Sequence, residues 1–447
     1  MRVLAAGIAE AARSGAEAEI VVEVEVSGWV HRIRDMGGVS FVVLRDRSGF
    51  VQLVFSERPV DAKGEALTPE SVISARGVPS LNEKAPGGAE LRVSSLEVFN
   101  RAAPELPYQV NGDAARTGIE AILDNRLLSL RNPAIRAIFK VQAVIIEAFA
   151  EYLRAEDFTE IKTSKLVGSG TEGGTNLFEV EYFDRKVYLA QSPQFYKEIM
   201  VASGLERVFE IAPAYRAEKH DTPRHLNEYI SLDVEMGFIS SEKDLIELEK
   251  GLLCHIFEKV ASKNGAELAL WNASVPDAEA VAASPVVPYE EALRLANDEA
   301  ARAGGKTARM FDINPEAERI LCEWALREKG SDLIFVNEFP RRYRPFYTYP
   351  LETGGGTATM SFDALFRGLE ITTGGRRQHD YSAFLEALPK FGLKPEDFGG
   401  YLTLLKYGCP PHGGFAVGCE RLTQKILGLA SVKEASLFPR DRRRVEP

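Results

Sequence analysis

The stretch Val208–Met236, VFEIAPAYRAEKHDTPRHLNEYISLDVEM, constrains the fold more than any other part of the chain. VFEIAPAY is apolar, β-branched and aromatic, the composition of a strand. It runs into Arg216, Glu218, Lys219, His220 and Asp221, where Pro223 enforces a turn. Arg224, His225, Asn227 and Glu228 follow, and YISLDVEM reads as a second strand. The pattern predicts a strand, a polar loop and a returning strand. Two arginines and two histidines converge at the loop, and arginine suits forked contacts with phosphate. A solvated hairpin tip of mixed charge has the same composition, so these residues alone leave both readings open.

A chain of 447 residues exceeds one ordinary core, so two or three domains are expected. The composition, 45% hydrophobic and 27% charged, is that of a globular protein rather than a disordered one. No apolar run reaches the roughly 18 residues of a membrane span. The N-terminal MRVLAAGIAEAARSG lacks the charged-then-apolar pattern of a secretory signal. Cys254, Cys322, Cys409 and Cys419 are scattered with no C-x-x-C, which argues against structural zinc and a disulfide framework. A cytoplasmic protein is expected. With a net charge of −11, any nucleic-acid surface must be a local basic patch on an acidic body.

Short strands are predicted over Ile20–Val30, Val39–Leu44, Phe50–Phe55, Ser71–Val78 and Leu91–Phe99, with RDRSG as a hairpin turn. Five strands in about 80 residues suggest a small Greek-key barrel such as an OB-fold. Arg32, Arg34, Arg45 and Arg47 cluster around its first hairpin, with Phe41 between them for base stacking and Gln52 on the next strand. Asn100–Gly118 is proline-bearing and reads as a linker. Asn132-Pro133 then opens a helix whose Ile138, Ile145, Phe149 and Leu153 share one face. Ser241 and Asp244 form a capping box for a helix over Asp244–Val260. His255 beside its apolar stripe reads as a packing residue, and residues 264–330 carry only helical packing roles. Glu370, with hydroxyls following it, offers the oxygen donors that suit Mg²⁺.

The signature Y-R-A-E, then R-H-L-N-E, then S-x-D-x-E within Val208–Met236 resembles motif 2 of the class II aminoacyl-tRNA synthetases, in the aspartyl branch of archaeal type that also occurs in bacteria. DFTEIKTSKL (157–166) resembles motif 1, the dimer motif, with Ser164 where the family usually has proline. GGFAVGCER (413–421) resembles motif 3, and GWVHRIRDMGGVSFVVLRDRSGFVQLV resembles the anticodon-binding barrel. The implied fold class is multidomain α+β: an OB-fold β-barrel (1–103), a linker (104–130), and a class II catalytic domain with an antiparallel sheet flanked by helices (131–447).

The resemblance implies ATP-dependent attachment of aspartate to tRNA through an aspartyl-adenylate. Arg216 and Arg421 would be catalytic. Glu172, Gln194, Lys197, Arg216, Thr373 and Arg377 would bind aspartate, and a neutral amide substrate would leave two buried cations unpaired. ATP would meet Arg216, Glu218, Arg224, His225, Leu226, Glu370, Gly418, Glu420 and Arg421, with Mg²⁺ on Glu370 and Thr373. Arg376 stands where the family usually has glutamine. In the barrel, Phe41, Gln52, Arg32 and Arg34 would meet the anticodon. His31 and Pro86 match a group that charges tRNA-Asn as well as tRNA-Asp, which implies a partner amidotransferase. A homodimer is also implied. The competing readings are a ligase restricted to tRNA-Asp, an asparaginyl-tRNA synthetase, against which Lys197 argues, an asparagine-synthesising relative, and a catalytically dead tRNA-binding paralogue.

Overall fold

Valines alternating with polar residues over 24–30 bury every second side chain, as a half-buried strand requires. The computed structural model describes residues 2–17, 22–170, 177–219, 221–302, 309–351 and 357–446. Two compact units divide between Asn132 and Pro133. In the first, β1 (Val24–Asp35), β2 (Ser40–Arg45), β3 (Phe50–Phe55), β4 (Val72–Leu81) and β5 (Ala89–Asn100) close a barrel in the order β1-β2-β3-β5-β4. Only the β3–β5 pairing is parallel. Val26, Val30, Val42, Leu44, Val51, Leu53, Ile73 and Leu91 fill its interior.

Two features of this unit were not anticipated. A helix over Ile8–Glu17 packs on the barrel through Ile8. The stretch 104–130, expected as a linker, holds short helices at Ile119–Asp124 and Arg126–Ser129. It also buries Tyr108, Val110, Ile122 and Leu123.

The second unit contains β6 (Thr159–Glu160), β7 (Leu166–Val167), β8 (Glu179–Tyr182), β9 (Arg185–Leu189), β10 (Arg207–Tyr215), β11 (Glu228–Gly237), β12 (Val286–Pro288), β13 (Leu333–Asn337), β14 (Ser361–Phe366), β15 (Leu369–Arg376) and β16 (His412–Gly418). Eight of them form one sheet in the order β12-β13-β14-β15-β16-β11-β10-β6, while β7-β9-β8 form a smaller one. The expected antiparallel sheet holds in the middle, but both edge pairs, β6–β10 and β12–β13, are parallel. The helices Tyr289–Arg302 and Pro315–Lys329 between β12 and β13 supply the crossover that a parallel pair needs.

One face of the large sheet is apolar. Phe209, Leu232, Val234, Phe335, Phe362, Phe415 and Val417 pack in one core with Ile138, Ile145, Phe149 and Leu153 of the helix Pro133–Ala155. Leu245, Leu252, Ile256 and Val260 of the helix Glu242–Lys263 join them. That helix begins at the predicted capping box of Ser241 and Asp244. His255 on it is half-buried and packs on the Tyr152 ring, centres 5.7 Å apart, with its Nε2 3.8 Å from Glu151. Because side chains alternate across a strand, Ser231, Asp233 and Glu235 point to the opposite face from Leu232 and Val234. No helix among the described residues is long and apolar enough to cross a membrane.

Candidate active site

The polar face of the large sheet floors a cavity of about 400 Å³. Strands β10 and β11 pair antiparallel from Arg207↔Met236 to Tyr215↔Glu228, as the sequence pattern predicts. The loop between them closes with Arg216 N donating to Asn227 O at 2.9 Å. From this hairpin Arg216, Glu218, Arg224, His225 and Leu226 reach the cavity. Gln194 and Lys197 come from the helix Gln194–Met200, and Glu370, Thr373 and Arg377 from β15 and its end. Gly418, Glu420 and Arg421 come from the junction of β16 with the helix Cys419–Leu427. Every residue expected to touch aspartate or ATP lies at this one cavity, except Glu172, which falls outside the described residues.

One end of the cavity is a buried ionic cluster. Lys197, 2% exposed, donates to Asp233 Oδ1 at 3.0 Å and lies 3.3 Å from Glu235 Oε2. Arg377 forks onto Glu235, Nε to Oε1 at 3.0 Å and Nη2 to Oε2 at 3.2 Å. Burial works against the guanidinium charge, but Glu235 outweighs it and raises the Arg377 pKa. Two cations thus face two carboxylates, and the cluster is neutral. This corrects the expectation that an uncharged substrate would leave Lys197 and Arg377 unpaired: both have carboxylate partners of their own. What the two cations can still sort in a ligand is hydrogen-bond direction. Lysine and arginine only donate hydrogen bonds, so a carboxylate offers them two acceptors and an amide offers one.

Glycine at position 414 makes this cluster possible. A Cβ there would lie 2.0 Å from Val234 O and 2.3 Å from Glu235 Oε2. Behind the cluster, Gln194 donates to Glu198 Oε1 at 2.7 Å, and Glu198 Oε2 meets His412 Nε2 at 2.8 Å. Burial disfavours a charge on His412, but Cys409 and Glu198 raise its pKa to about 10, so it is an imidazolium.

The other end alternates arginines with carboxylates. Arg421 Nη1 donates to Glu370 Oε1 and to Glu370 O, each at 3.0 Å. Arg224 pairs with Glu318, which also accepts from Glu370 N at 3.0 Å. Burial opposes ionisation of Glu370, but Arg421 first, then Arg344, Arg216 and Arg224, hold its pKa below the ordinary value. Burial dominates at Glu420, whose pKa rises to about 7, and both of its oxygens accept from Ile230 N. The guanidinium of Arg216 lies 5.8 Å from the centre of the Tyr229 ring.

A divalent metal is testable here by its donors. Thr373 Oγ1 lies 3.3 Å from Glu370 Oε1, so a carboxylate and a hydroxyl stand together. No group of three or more His, Cys, Asp or Glu among the described residues could cage a metal. The pair therefore fits Mg²⁺ that draws its remaining ligands from phosphate and water, and does not fit an all-protein site. Arg376, whose direction the sequence left open, turns away from the cavity: Nη1 donates to Ser240 O at 2.9 Å, and the guanidinium lies 4.1 Å from the centre of the Tyr349 ring.

Asp233, Glu235, Glu318 and Arg344 were missed by sequence reasoning as parts of this site. Alternation along YISLDVEM could have placed Asp233 beside Ser231 and Glu235, but nothing local marks Glu318, which arrives on the helix Pro315–Lys329.

On the barrel, Arg34 pairs with Phe41 and Phe41 with Val54, while Arg32 pairs with Val43 and Val43 with Gln52. Arg32, Arg34, Phe41 and Gln52 therefore share the outer face of three neighbouring strands. Gln52 Nε2 donates to Glu90 at 3.1 Å. Arg45 is not on that face. It is 1% exposed and forks onto Glu70 at 3.0 and 2.8 Å, which corrects its assignment to the basic patch. His31, at a bulge in β1, lies 3.0 Å from Arg45 Nη1, and its ring centre is 4.9 Å from that of Phe50. Burial and then Arg45 lower the His31 pKa, so the ring is neutral. Pro86 begins a short turn whose Gly87, given a Cβ, would stand 3.3 Å from Phe50 O.

Comparison with known proteins agrees with this arrangement. The family profile described as tRNA synthetases class II (D, K and N) matches residues 118–442, and that of an OB-fold nucleic acid binding domain matches residues 24–99. The aspartate–tRNA(Asp/Asn) ligase of Thermus thermophilus is 47% identical over 96% of this chain and 98% of its own. The aspartate–tRNA(Asp) ligase of Pyrococcus horikoshii is 39% identical over 95% and 96%. The crystal structure of asparaginyl-tRNA synthetase from Pyrococcus horikoshii, complexed with asparaginyl-adenylate, superposes with a TM-score of 0.85 at 30% identity, covering 96% of each chain. With three quarters of its length matched by one profile and nearly all of it by such relatives, the chain belongs to the class II tRNA synthetases of the D, K and N group.

Proposed function

We propose that the protein attaches L-aspartate to tRNA-Asp and to tRNA-Asn, through an aspartyl-adenylate formed from ATP. The observation that carries the aspartate reading is the pairing of Lys197 and Arg377 at one end of the cavity, two donor-only cations braced by Asp233 and Glu235. The similarity to aspartate–tRNA(Asp/Asn) ligases supports the choice of tRNAs.

In the first step an α-carboxylate oxygen of aspartate attacks the α-phosphorus of ATP, and pyrophosphate leaves. In the second, a terminal ribose hydroxyl of tRNA attacks the activated carbonyl, and AMP leaves. Such chemistry needs positioning and charge neutralisation more than covalent help. Arg216 meets the α-phosphate and the substrate carboxylate. Glu218 accepts from the adenine amino group, and Leu226 packs beside the nucleotide. Arg224 and His225 hold the outer phosphates, and Gly418 and Glu420 border the ribose and adenine. Arg421 lies over the adenine and neutralises phosphate charge. Gln194, Lys197, Thr373 and Arg377 fix the aspartate, with Glu172 for its ammonium group. Glu370 and Thr373 would hold Mg²⁺, which supplies charge neutralisation on the phosphates.

The outer barrel face of Arg32, Arg34, Phe41 and Gln52 suits single-stranded bases, with an aromatic ring for stacking and cations for the backbone. His31 and the Pro86 turn both lie against Phe50, which couples these two positions to the same strand. The protein acts in the cytoplasm as a homodimer, and aspartyl-tRNA-Asn passes to an amidotransferase. Aspartate-dependent exchange of pyrophosphate into ATP tests the activation step. Exchange supported by aspartate and not asparagine is expected, and exchange with asparagine alone would overturn the assignment of Lys197 and Arg377.

A further inference from the structure

The loop Arg216–Asn227 carries Glu218, Arg224 and His225, yet its strands hold it only at its two ends. Its outer side is held by a segment more than two hundred residues later. Val432 N donates to Pro223 O at 2.9 Å, and Asn227 N donates to Arg440 O at 2.8 Å. Between these two backbone contacts stands Lys433, whose Nζ donates to Asp221 Oδ1 and to Asp441 Oδ2, each at 2.6 Å. Asp441 Oδ1 in turn accepts from Arg443 N and Arg444 N at 2.7 and 2.8 Å, which fixes the carboxylate in place. The Lys433 side chain is 12% exposed, Asp441 9% and Asp221 34%, so water screens the Asp441 contact little and reaches the loop's side of the bridge. Burial disfavours the ammonium charge, but Asp221 and Asp441 outweigh it and raise the Lys433 pKa.

We propose that Lys433 is a positioning residue for the nucleotide: it ties the loop to the C-terminal segment and so places Arg224 and His225 for the outer phosphates. This rests on the reading of the cavity as an ATP site. Three backbone-to-backbone or charged contacts converge on Asp221, Pro223 and Asn227, and Arg224 and His225 lie between the latter two. Without the ammonium group, Asp221 keeps, among the described residues, only the exposed Arg443, 4.0 Å away, against the like charge of Asp441, and the loop moves outward with its two phosphate ligands. The aspartate end of the cavity, built on Lys197, Asp233, Glu235 and Arg377, has no contact with Lys433.

The test compares full-length wild type with Lys433→Met, Asp221→Ala and Lys433→Arg, measuring by calorimetry the affinities for Mg–ATP alone and for aspartate alone. Asp221→Ala removes the loop's end of the tie and leaves Asp441 capping Arg443 and Arg444. Lys433→Met and Asp221→Ala are expected to weaken Mg–ATP about ten-fold, the scale of a lost charge-assisted hydrogen bond, and to leave aspartate affinity unchanged. Lys433→Arg, which can fork between two carboxylates, restores most of the loss. Unchanged ATP affinity in both weakened variants overturns the proposal, and so does an equal loss for ATP and aspartate. Aspartate-dependent pyrophosphate exchange by the wild type is measured beside it: its absence counts against the aspartate-activating function, while the ATP affinities still decide the role of Lys433.

Discussion

Replacing Lys197 by methionine separates the structural and functional halves of the aspartate pocket. The side chain is 2% exposed and its ammonium group lies 3.0 Å from Asp233 and 3.3 Å from Glu235. Methionine fills a similar volume, so the change is one of charge. Arg377 still balances Glu235, and Asp233 is left buried without a cation. Removing one partner of a buried pair costs about 3–5 kcal/mol. For a unit of this size the melting temperature falls by roughly 5–10 °C. Aspartate loses one of its two cations, and the exchange reaction falls about 100-fold in kcat/KM. The double variant Lys197→Met/Asp233→Ala removes the stranded carboxylate and leaves the neutral Arg377–Glu235 pair. It is expected to recover most of the melting temperature and none of the activity. Thermal denaturation and pyrophosphate exchange on the two variants decide the matter. Equal melting temperatures for single variant and wild type, or recovery of activity in the double variant, would refute the charge balance drawn here.

Three further outcomes follow from single contacts. Gly414→Ala drives a Cβ into Val234 O and the Glu235 carboxylate, so aspartate-dependent exchange should fall at least about ten-fold, with a stability loss of about 1–3 kcal/mol by denaturant titration. Glu249 is fully buried and burial raises its pKa from 4.5 to about 8. The folded state therefore holds its proton more tightly than the unfolded state, and this stabilisation is complete below about pH 4.5 and lost as pH rises through about 8. Glu249→Gln should flatten the fall in stability between those pH values, measured by urea titration across the range. In the barrel, Glu70→Gln leaves Arg45 with the amide oxygen and His31 as acceptors but no counter-charge, so charging of tRNA should fall on warming while pyrophosphate exchange, whose cavity residues all lie in the second unit, is unchanged.

The strands and helices built on local pattern were legible in the sequence: the barrel strands, the Val208–Met236 hairpin, and the capping box at Ser241. Side chains whose role depends on distant partners were not. Arg45 reads as a surface cation because its partner Glu70 is 25 positions away on a turn. Lys197 and Arg377 read as unpaired because Asp233 and Glu235 come from β11, an element that neither cation belongs to. Glu318 sits in an alanine-rich region with no signature, yet it pairs with Arg224 across 94 positions. The parallel edge strand β12 is only three residues long, too short to show a period. Such pairings belong to tertiary geometry, which spacing along the chain does not encode.

The central claim is a ligase for aspartate that accepts two tRNAs. Aspartylation of purified tRNA-Asp and tRNA-Asn transcripts, side by side and with asparagine as the control amino acid, tests it most directly. Comparable charging of both tRNAs with aspartate, and none with asparagine, is the predicted result. Charging of tRNA-Asp alone would contradict the reading of His31 and Pro86.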